Sequence, residues 1–132
     1  MNVLFVCTGN TCRSPMAAGL FGVLHPEISC ASAGILATDG LSASAHAVAA
    51  LQTFGVDISD HRSRFLTPDI AQTADLIVAI GAYHQQVLQG AYPHKRVVLL
   101  GNGIDDPYGH NLEAYKECAF QIQDALALLG EM

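Results

Sequence analysis

The stretch NVLFVCTGNTCRSPMA, residues 2–17, decides the fold and the chemistry of this chain. The apolar run at 2–6, with valines at 3 and 6, is typical of a buried strand, and Ser14-Pro15 marks the start of a helix. Cys7 is therefore expected at the carboxyl end of a strand and Arg13 at the amino end of a helix. Backbone N–H groups in such a loop converge on one point, where the helix dipole adds positive potential.

This loop is predicted to bind a tetrahedral oxyanion, which the planar fork of Arg13 can hold at two oxygens. The same field is expected to lower the pKa of Cys7, so that its thiolate becomes a nucleophile. A bare C-x5-R spacing also arises by chance, and cysteines in a turn are often only packed side chains. The strand before the loop, the helix after it and a distant carboxylate in Asp105-Asp106-Pro107-Tyr108 favour catalysis.

Length and composition limit the number of domains and the classes of partner. A chain of 132 residues, 51% of them hydrophobic, can bury one core, so a single domain over residues 1–132 is expected. A net charge of −6 argues against nucleic acid or an anionic membrane as a partner. We find no membrane-length apolar stretch, no signal peptide, no disulfide framework and no metal-ligand spacing among the cysteines and histidines. A nucleophilic thiolate requires a reducing compartment, which favours a cytoplasmic location.

The chain alternates between strand-like and helical patterns. Alternating βαβ units imply an α/β fold with a parallel sheet and helices on both faces, and a ligand site at the carboxyl ends of the strands. Strands are predicted at residues 2–6, 28–33, 75–80 and 96–100, and helices at about 14–24, 43–54, 82–90 and 112–129.

Five segments carry a resemblance to a known family. They are residues 6–17, 32–34, 61–64, 74–77 and 106–109, which together span nearly the whole chain. In identity and order they resemble the low-molecular-weight protein-tyrosine phosphatase family, most closely its protein-arginine phosphatase branch. The resemblance implies a single-domain, flavodoxin-like fold with a four-stranded parallel sheet. It also implies phosphorylated proteins as substrates and a reaction that uses no cofactor.

The resemblance assigns the chemistry to three side chains. Cys7 is expected to be the nucleophile that accepts phosphate, and Arg13 to bind the phosphoryl oxygens. Asp106 is expected to be the general acid, and Pro107 after it holds that residue extended; Asp105 is interpreted as a solvated charge. The phosphate-binding loop is expected to comprise Thr8, Gly9, Asn10, Thr11, Cys12, Arg13 and Ser14.

Other residues are expected to support this loop. Ser14 is predicted both to cap the helix and to donate a hydrogen bond to Cys7. Asn10, Ser32 and His61 resemble the bracing network of family members. Cys12 has two interpretations, a partner of Cys7 in a protective, reversible disulfide or a small packed side chain.

Thr11 and Tyr108 are expected to line the substrate pocket. Threonine at position 11 resembles the pattern of the arginine-directed branch. A physical reason agrees with this: a threonine hydroxyl suits a polar guanidinium, whereas an aliphatic side chain packs better on an aromatic ring. The small residues between Ala37 and Ser44 and the single aromatic Tyr108 point the same way. A phosphotyrosine phosphatase is the alternative. An arsenate reductase is a weak one, since the chain has no cysteine between Cys30 and Cys118 for a disulfide relay.

Overall fold

A computed structural model describes residues 1–129 of the chain. Four strands and five helices alternate along it. The strands are β1 (Asn2–Cys7), β2 (Ser29–Gly34), β3 (Leu76–Ala79) and β4 (Val97–Leu99), and the helices are α1 (Arg13–Leu24), α2 (Ala45–Gln52), α3 (Pro68–Thr73), α4 (Ala82–Ala91) and α5 (Leu112–Leu129).

All four strands pair in parallel, in the order β2-β1-β3-β4. Phe5 at the centre of β1 lies beside Ser32 of β2 and Val78 of β3. The chain leaves β1 toward one edge of the sheet and later returns to its other side, so the strand order reverses at β1. The carboxyl end of β1, where Cys7 lies, is thus the topological switch point at which such sheets bind ligands.

Two apolar layers cover the sheet. Val3, Phe5 and Cys7 of β1 point into the larger core, which contains the buried faces of α1, α2 and α5. Leu4 and Val6 point to the opposite face, where residues of α3 and α4 cover them. This alternation follows from the period-2 geometry of a strand and explains why β1 has apolar residues on both faces.

The α/β class, the four-stranded parallel sheet and the helices on both faces are confirmed. Strand and helix boundaries agree with prediction within about two residues, and α5 agrees at both ends. The six-residue helix α3 was not predicted, although Thr67 caps it and Pro68 occupies its first turn. Within the described residues 1–129, no helix has both the length and the apolar character needed to cross a membrane.

Candidate active site

The β1–α1 loop, residues 8–12, connects the central strand to the first helix. The beginning of the loop is hydrogen-bonded to the two residues that follow β2. The N–H groups of Ile35 and Leu36 donate to the carbonyl oxygens of Cys7 and Thr8. Cys12 is the N-cap residue of α1, and its side chain makes no capping hydrogen bond. The prediction that Ser14 caps the helix is therefore wrong: Ser14 lies inside the first turn, where its hydroxyl turns toward the loop.

Ser14 connects the candidate nucleophile to the loop. Its Oγ lies 2.8 Å from the Cys7 Sγ and 2.7 Å from the Asn10 Nδ2, and it is fully buried. Because the Asn10 amide donates to this oxygen, the hydroxyl hydrogen of Ser14 is free to donate to the sulfur. The predicted hydrogen bond between Ser14 and Cys7 is present.

Asn10 is the bracing residue at the centre of the loop. Its backbone has a φ of 59°, a left-handed conformation that asparagine adopts more readily than most residues. Its Nδ2 also donates to Ser32 Oγ at 2.9 Å, its Oδ1 accepts from the Arg64 N–H at 2.8 Å, and its carbonyl oxygen accepts from His61 Nε2 at 2.7 Å. The structure thus brings Asn10, Ser32 and His61 together as predicted, and adds the Arg64 backbone.

Gly34, at the end of β2, lets the loop approach the sheet. A Cβ at this position would lie 2.5 Å from the carbonyl oxygen of Thr8 and 3.0 Å from the backbone nitrogen of Asn10. Both neighbours are backbone atoms of the β1–α1 loop and cannot rotate away. The absence of a side chain at Gly34 is therefore a condition of the loop's position.

Burial of the Cys7 thiol raises its pKa above the ordinary value, because a thiolate loses solvation there. Hydrogen bonds from the Ser14 hydroxyl and from the Ser14 and Asn10 backbones, together with the charge of Arg13, act in the opposite direction. The expectation of a lowered pKa is wrong for the thiol in this structure, since desolvation outweighs the loop's field. Each of these donors nevertheless stabilises the thiolate form.

Arg13 and Asp106 meet across the mouth of the loop. The guanidinium is buried, with Nη1 donating to the Ile104 carbonyl oxygen at 2.9 Å and Nη2 lying 3.5 Å from Asp106 Oδ2. Asp106 is half-exposed, and its Oδ1 accepts the Tyr108 N–H at 3.0 Å, which fixes the turn after Pro107. These two contacts hold the Arg13 guanidinium in place at the mouth of the loop.

A cavity of about 250 Å³ joins these groups. Asp106 and Tyr108 form one side of it and the loop the other; its lining is completed by Cys7, Thr8, Gly9, Asn10, Thr11, Cys12 and Arg13. All three predicted catalytic residues, and both predicted pocket residues, line this one cavity. A buried guanidinium held by two contacts, a thiol and a carboxylate form a site suited to phosphoryl transfer, which needs positioning and charge stabilisation.

Cys12, the last residue of the loop, contacts polar side chains of neighbouring elements. Its thiol is 3.5 Å from Oγ of Ser44, the N-cap residue of α2, and 3.4 Å from Oη of Tyr115 in α5. Burial raises the pKa of Tyr115 to about 12, so its hydroxyl stays protonated. Cys7, Cys12, Cys30 and Cys118 are all free thiols.

His84 is a site residue that the sequence did not predict. From the first turn of α4, its Nε2 reaches Thr8 Oγ1 at 2.8 Å and its Nδ1 accepts the Gly81 N–H at 3.0 Å. The His84 side chain accepts the N-cap N–H as in a capping box, but Gly81 and His84 lack the residue types that mark a capping box in a sequence. Among residues 1–129, no group of three or more His, Cys, Asp or Glu side chains is placed to hold a metal ion.

Comparison with known proteins decides the family. The model of the low molecular weight phosphotyrosine protein phosphatases matches residues 2–131. The chain belongs to this family. It is 39% identical over 127 residues to a probable low molecular weight protein-tyrosine-phosphatase, EpsP, from Ralstonia solanacearum, covering 92% of this chain and 88% of that one.

Two further relatives have names that give different activities. A protein-arginine-phosphatase from Bacillus subtilis is 34% identical, covering 99% of this chain and 95% of the relative. A low molecular weight protein tyrosine phosphatase from T. tengcongensis superposes with a TM-score of 0.93 at 38% identity, covering 100% and 99% of the two chains. The chain is thus a hydrolase, a member of the cysteine-based low molecular weight protein phosphatase family. This family implies phosphorylated proteins as the substrate class.

Proposed function

We propose that this chain is a protein-arginine phosphatase that acts through a phosphocysteine on Cys7. The observation that carries this choice within the family is Thr11, a threonine lining the same cavity as Cys7, Arg13 and Asp106. A guanidinium remains rich in N–H donors after its phosphate is bound, and these donors lose free energy if they are buried without acceptors. The Thr11 hydroxyl oxygen and the carbonyl oxygen of the protonated Asp106 carboxyl supply acceptors on two sides of the cavity.

The first step transfers the phosphoryl group to the enzyme. The Cys7 thiolate attacks phosphorus in line while Arg13 and the loop N–H groups hold the phosphoryl oxygens. The P–N bond breaks, its electron pair goes to the guanidine nitrogen, and the protonated carboxyl of Asp106 donates a proton there. A phosphate in the loop competes with Asp106 for the Arg13 guanidinium, which frees the carboxyl to face the leaving group.

The second step regenerates the enzyme. The Asp106 carboxylate accepts a proton from water as that oxygen attacks phosphorus, and the P–S bond breaks. The electron pair returns to Cys7, whose thiolate accepts the hydrogen bond from Ser14. The sum of both steps is phosphoarginine plus water giving arginine plus inorganic phosphate.

Phosphotyrosine hydrolysis by the same steps is the second candidate. The 39% identity to a relative named a tyrosine phosphatase supports it, as does the exposed aromatic ring of Tyr108 on the cavity wall. In this case the phenolic oxygen takes the proton from Asp106. The two candidates differ only in the leaving group and in what Thr11 contacts.

The deciding experiment compares kcat/KM on phosphoarginine and phosphotyrosine peptides of the same sequence. We expect the wild type to prefer phosphoarginine. The isosteric Thr11→Val variant should lose about tenfold on phosphoarginine, the loss typical of one hydrogen bond to a charged group, with no loss on phosphotyrosine. Thr11→Ser, which keeps the hydroxyl, is the matched control. A wild-type preference for phosphotyrosine that Thr11→Val leaves unchanged contradicts the arginine assignment.

The shared chemistry has its own test. Cys7→Ser should abolish turnover of both peptides, and Asp106→Asn should lower kcat by about 100-fold or more while leaving KM nearly unchanged, as expected for a lost general acid. Full activity of Cys7→Ser would refute the mechanism for either substrate.

A further inference from the structure

The two hydrogen bonds of His84 fix the position of its ring proton. The Gly81 backbone N–H can only donate, so the His84 Nδ1 that receives it at 3.0 Å has no proton. A neutral ring then carries its proton on Nε2, which lies 2.8 Å from Thr8 Oγ1. His84 is therefore the donor and the Thr8 oxygen is the acceptor.

This direction determines what the Thr8 hydroxyl can do. Because its oxygen accepts from His84, its own hydrogen is free to donate to another group. Thr8 follows Cys7 directly and lines the cavity that holds Arg13 and Asp106. A phosphoryl oxygen bound in the β1–α1 loop is an acceptor within this cavity.

The surroundings keep the ring neutral and in place. Burial, together with the positive charge of Arg13, lowers the pKa of His84 to about 4, whereas Asp106 acts in the opposite direction. His84 is 3% exposed, so little solvent competes for its hydrogen bonds. A Cβ on Gly81 would lie 3.2 Å from His84 Nδ1, which is a tight contact, so this glycine leaves room for the ring.

We propose that His84 is a positioning residue that directs the Thr8 hydroxyl to donate to the phosphoryl group. The hydrogen bonds run in one direction, from Gly81 N–H to His84, from His84 to Thr8, and from Thr8 to a phosphoryl oxygen. This inference rests on the proposed function only in requiring that the loop binds phosphate. It holds equally for a phosphoarginine or a phosphotyrosine substrate, since it concerns the phosphoryl oxygens alone.

The first test observes the ring directly and needs no substrate. Long-range ¹H–¹⁵N NMR of the wild-type chain at neutral pH distinguishes the two neutral tautomers of a histidine. We expect the His84 ring to be protonated at Nε2 and bare at Nδ1. A ring protonated at Nδ1, or a charged ring, overturns the proposal, because Thr8 would then not be held as a donor by His84.

The second test measures the binding of inorganic phosphate, followed by amide chemical shifts rather than by turnover. Thr8→Val, which keeps the shape of the side chain, should weaken phosphate binding about tenfold, and Thr8→Ser should recover most of that loss. His84→Phe should also weaken binding, but it should add little in the Thr8→Val background. The exposed His94, as His94→Ala, is the matched control and should bind like the wild type.

The outcomes separate the two proposals. If His84→Phe weakens phosphate binding by the same factor with or without the Thr8 hydroxyl, His84 acts by another route and the inference fails. If Thr8→Val binds phosphate as the wild type does, it fails without any appeal to the His84 variant. If the wild type does not bind phosphate at the loop, the proposed function fails first and the inference with it.

Discussion

Removal of the Ser14 hydroxyl tests how the site makes a thiolate. Ser14 Oγ lies 2.8 Å from the Cys7 sulfur and accepts from the Asn10 amide, which leaves the hydroxyl hydrogen free to donate to the sulfur. Ser14→Ala deletes this donor and leaves the backbone donors and Arg13 in place. Since the hydrogen bond stabilises the thiolate more than the thiol, its loss should raise the pKa of Cys7 further.

The size of the effect follows from burial. A hydrogen bond to a charged group contributes about 1.5–3 kcal/mol, and about 1.4 kcal/mol corresponds to a factor of ten in an equilibrium constant. Ser14 is fully buried, so water cannot replace the missing donor. The remaining donors compensate in part, which favours the lower end of the range. We expect the thiolate fraction at neutral pH to fall by about tenfold.

The assay is the rate of Cys7 alkylation by iodoacetamide as a function of pH, with the modified residue identified by mass spectrometry. Below the pKa of the thiol, this rate is proportional to the thiolate fraction. A neutral reagent is chosen because an anionic one would itself bind in the loop. Ser14→Ala should react about tenfold more slowly at pH 7, and the two proteins should converge at high pH.

Ser32→Ala is the matched control. Ser32 also accepts from Asn10 Nδ2, at 2.9 Å, but it does not contact the sulfur. Its loss perturbs the bracing of the loop without deleting the donor to Cys7. The reasoning is refuted if Ser14→Ala alkylates at the wild-type rate, or if both variants slow by the same factor.

Three further perturbations have defined outcomes. Gly34→Ala places a Cβ against the loop backbone and should lower the free energy of unfolding in urea by about 1–3 kcal/mol. Gly90→Ala, in open space on a helix, is the control and should raise it by up to about 1 kcal/mol. Equal effects of the two substitutions would contradict the close approach of Gly34 to the loop. The pKa of His84 is about 4 in the folded chain against about 6.5 in the unfolded chain, so the folded state binds fewer protons and the free energy of unfolding falls as the pH drops from 6.5 to 4. In urea unfolding over this range, the wild type should lose about 2–3 kcal/mol more than His84→Phe. An equal loss would show that His84 is not buried in its neutral form. If Cys12 shields Cys7, dithiothreitol should restore activity after peroxide in the wild type but not in Cys12→Ser, and equal recovery favours a packing role.

Much of the fold was predictable because its signals are local. The apolar run of β1, the spacing of buried residues on α5 and the alternation of element types each depend on periodicity within a few residues. Helix α3 was missed because a six-residue element has too few apolar positions to show a period. Only its cap and its proline marked it.

The sequence predicted that Cys7, Arg13 and Asp106 would meet, and the structure places all three around one cavity. Their catalytic roles stay predictions. The prediction of Ser14 as the cap failed because α1 begins at Arg13, two residues before the start that a Ser14 cap requires. His84 was missed for a different reason. Its hydrogen bond to Thr8 joins residues 76 positions apart, and no local pattern reports such a contact. The pKa of Cys7 depends on burial, which likewise emerges only after folding.

The hydrogen bonds of Asn10 have a consequence for how activity is acquired during folding. Its partners Ser32, His61 and Arg64 lie 22, 51 and 54 residues along the chain. A nascent chain that has just emerged with its β1–α1 segment therefore contains the reactive thiol but none of the scaffold that shapes the loop around it. Closing such long connections is slow compared with forming a helix. Catalysis becomes possible only once Asn10 has met its distant partners and Asp106 has reached Arg13 from the second half of the chain. The return of turnover on refolding therefore reports non-local pairing rather than helix formation.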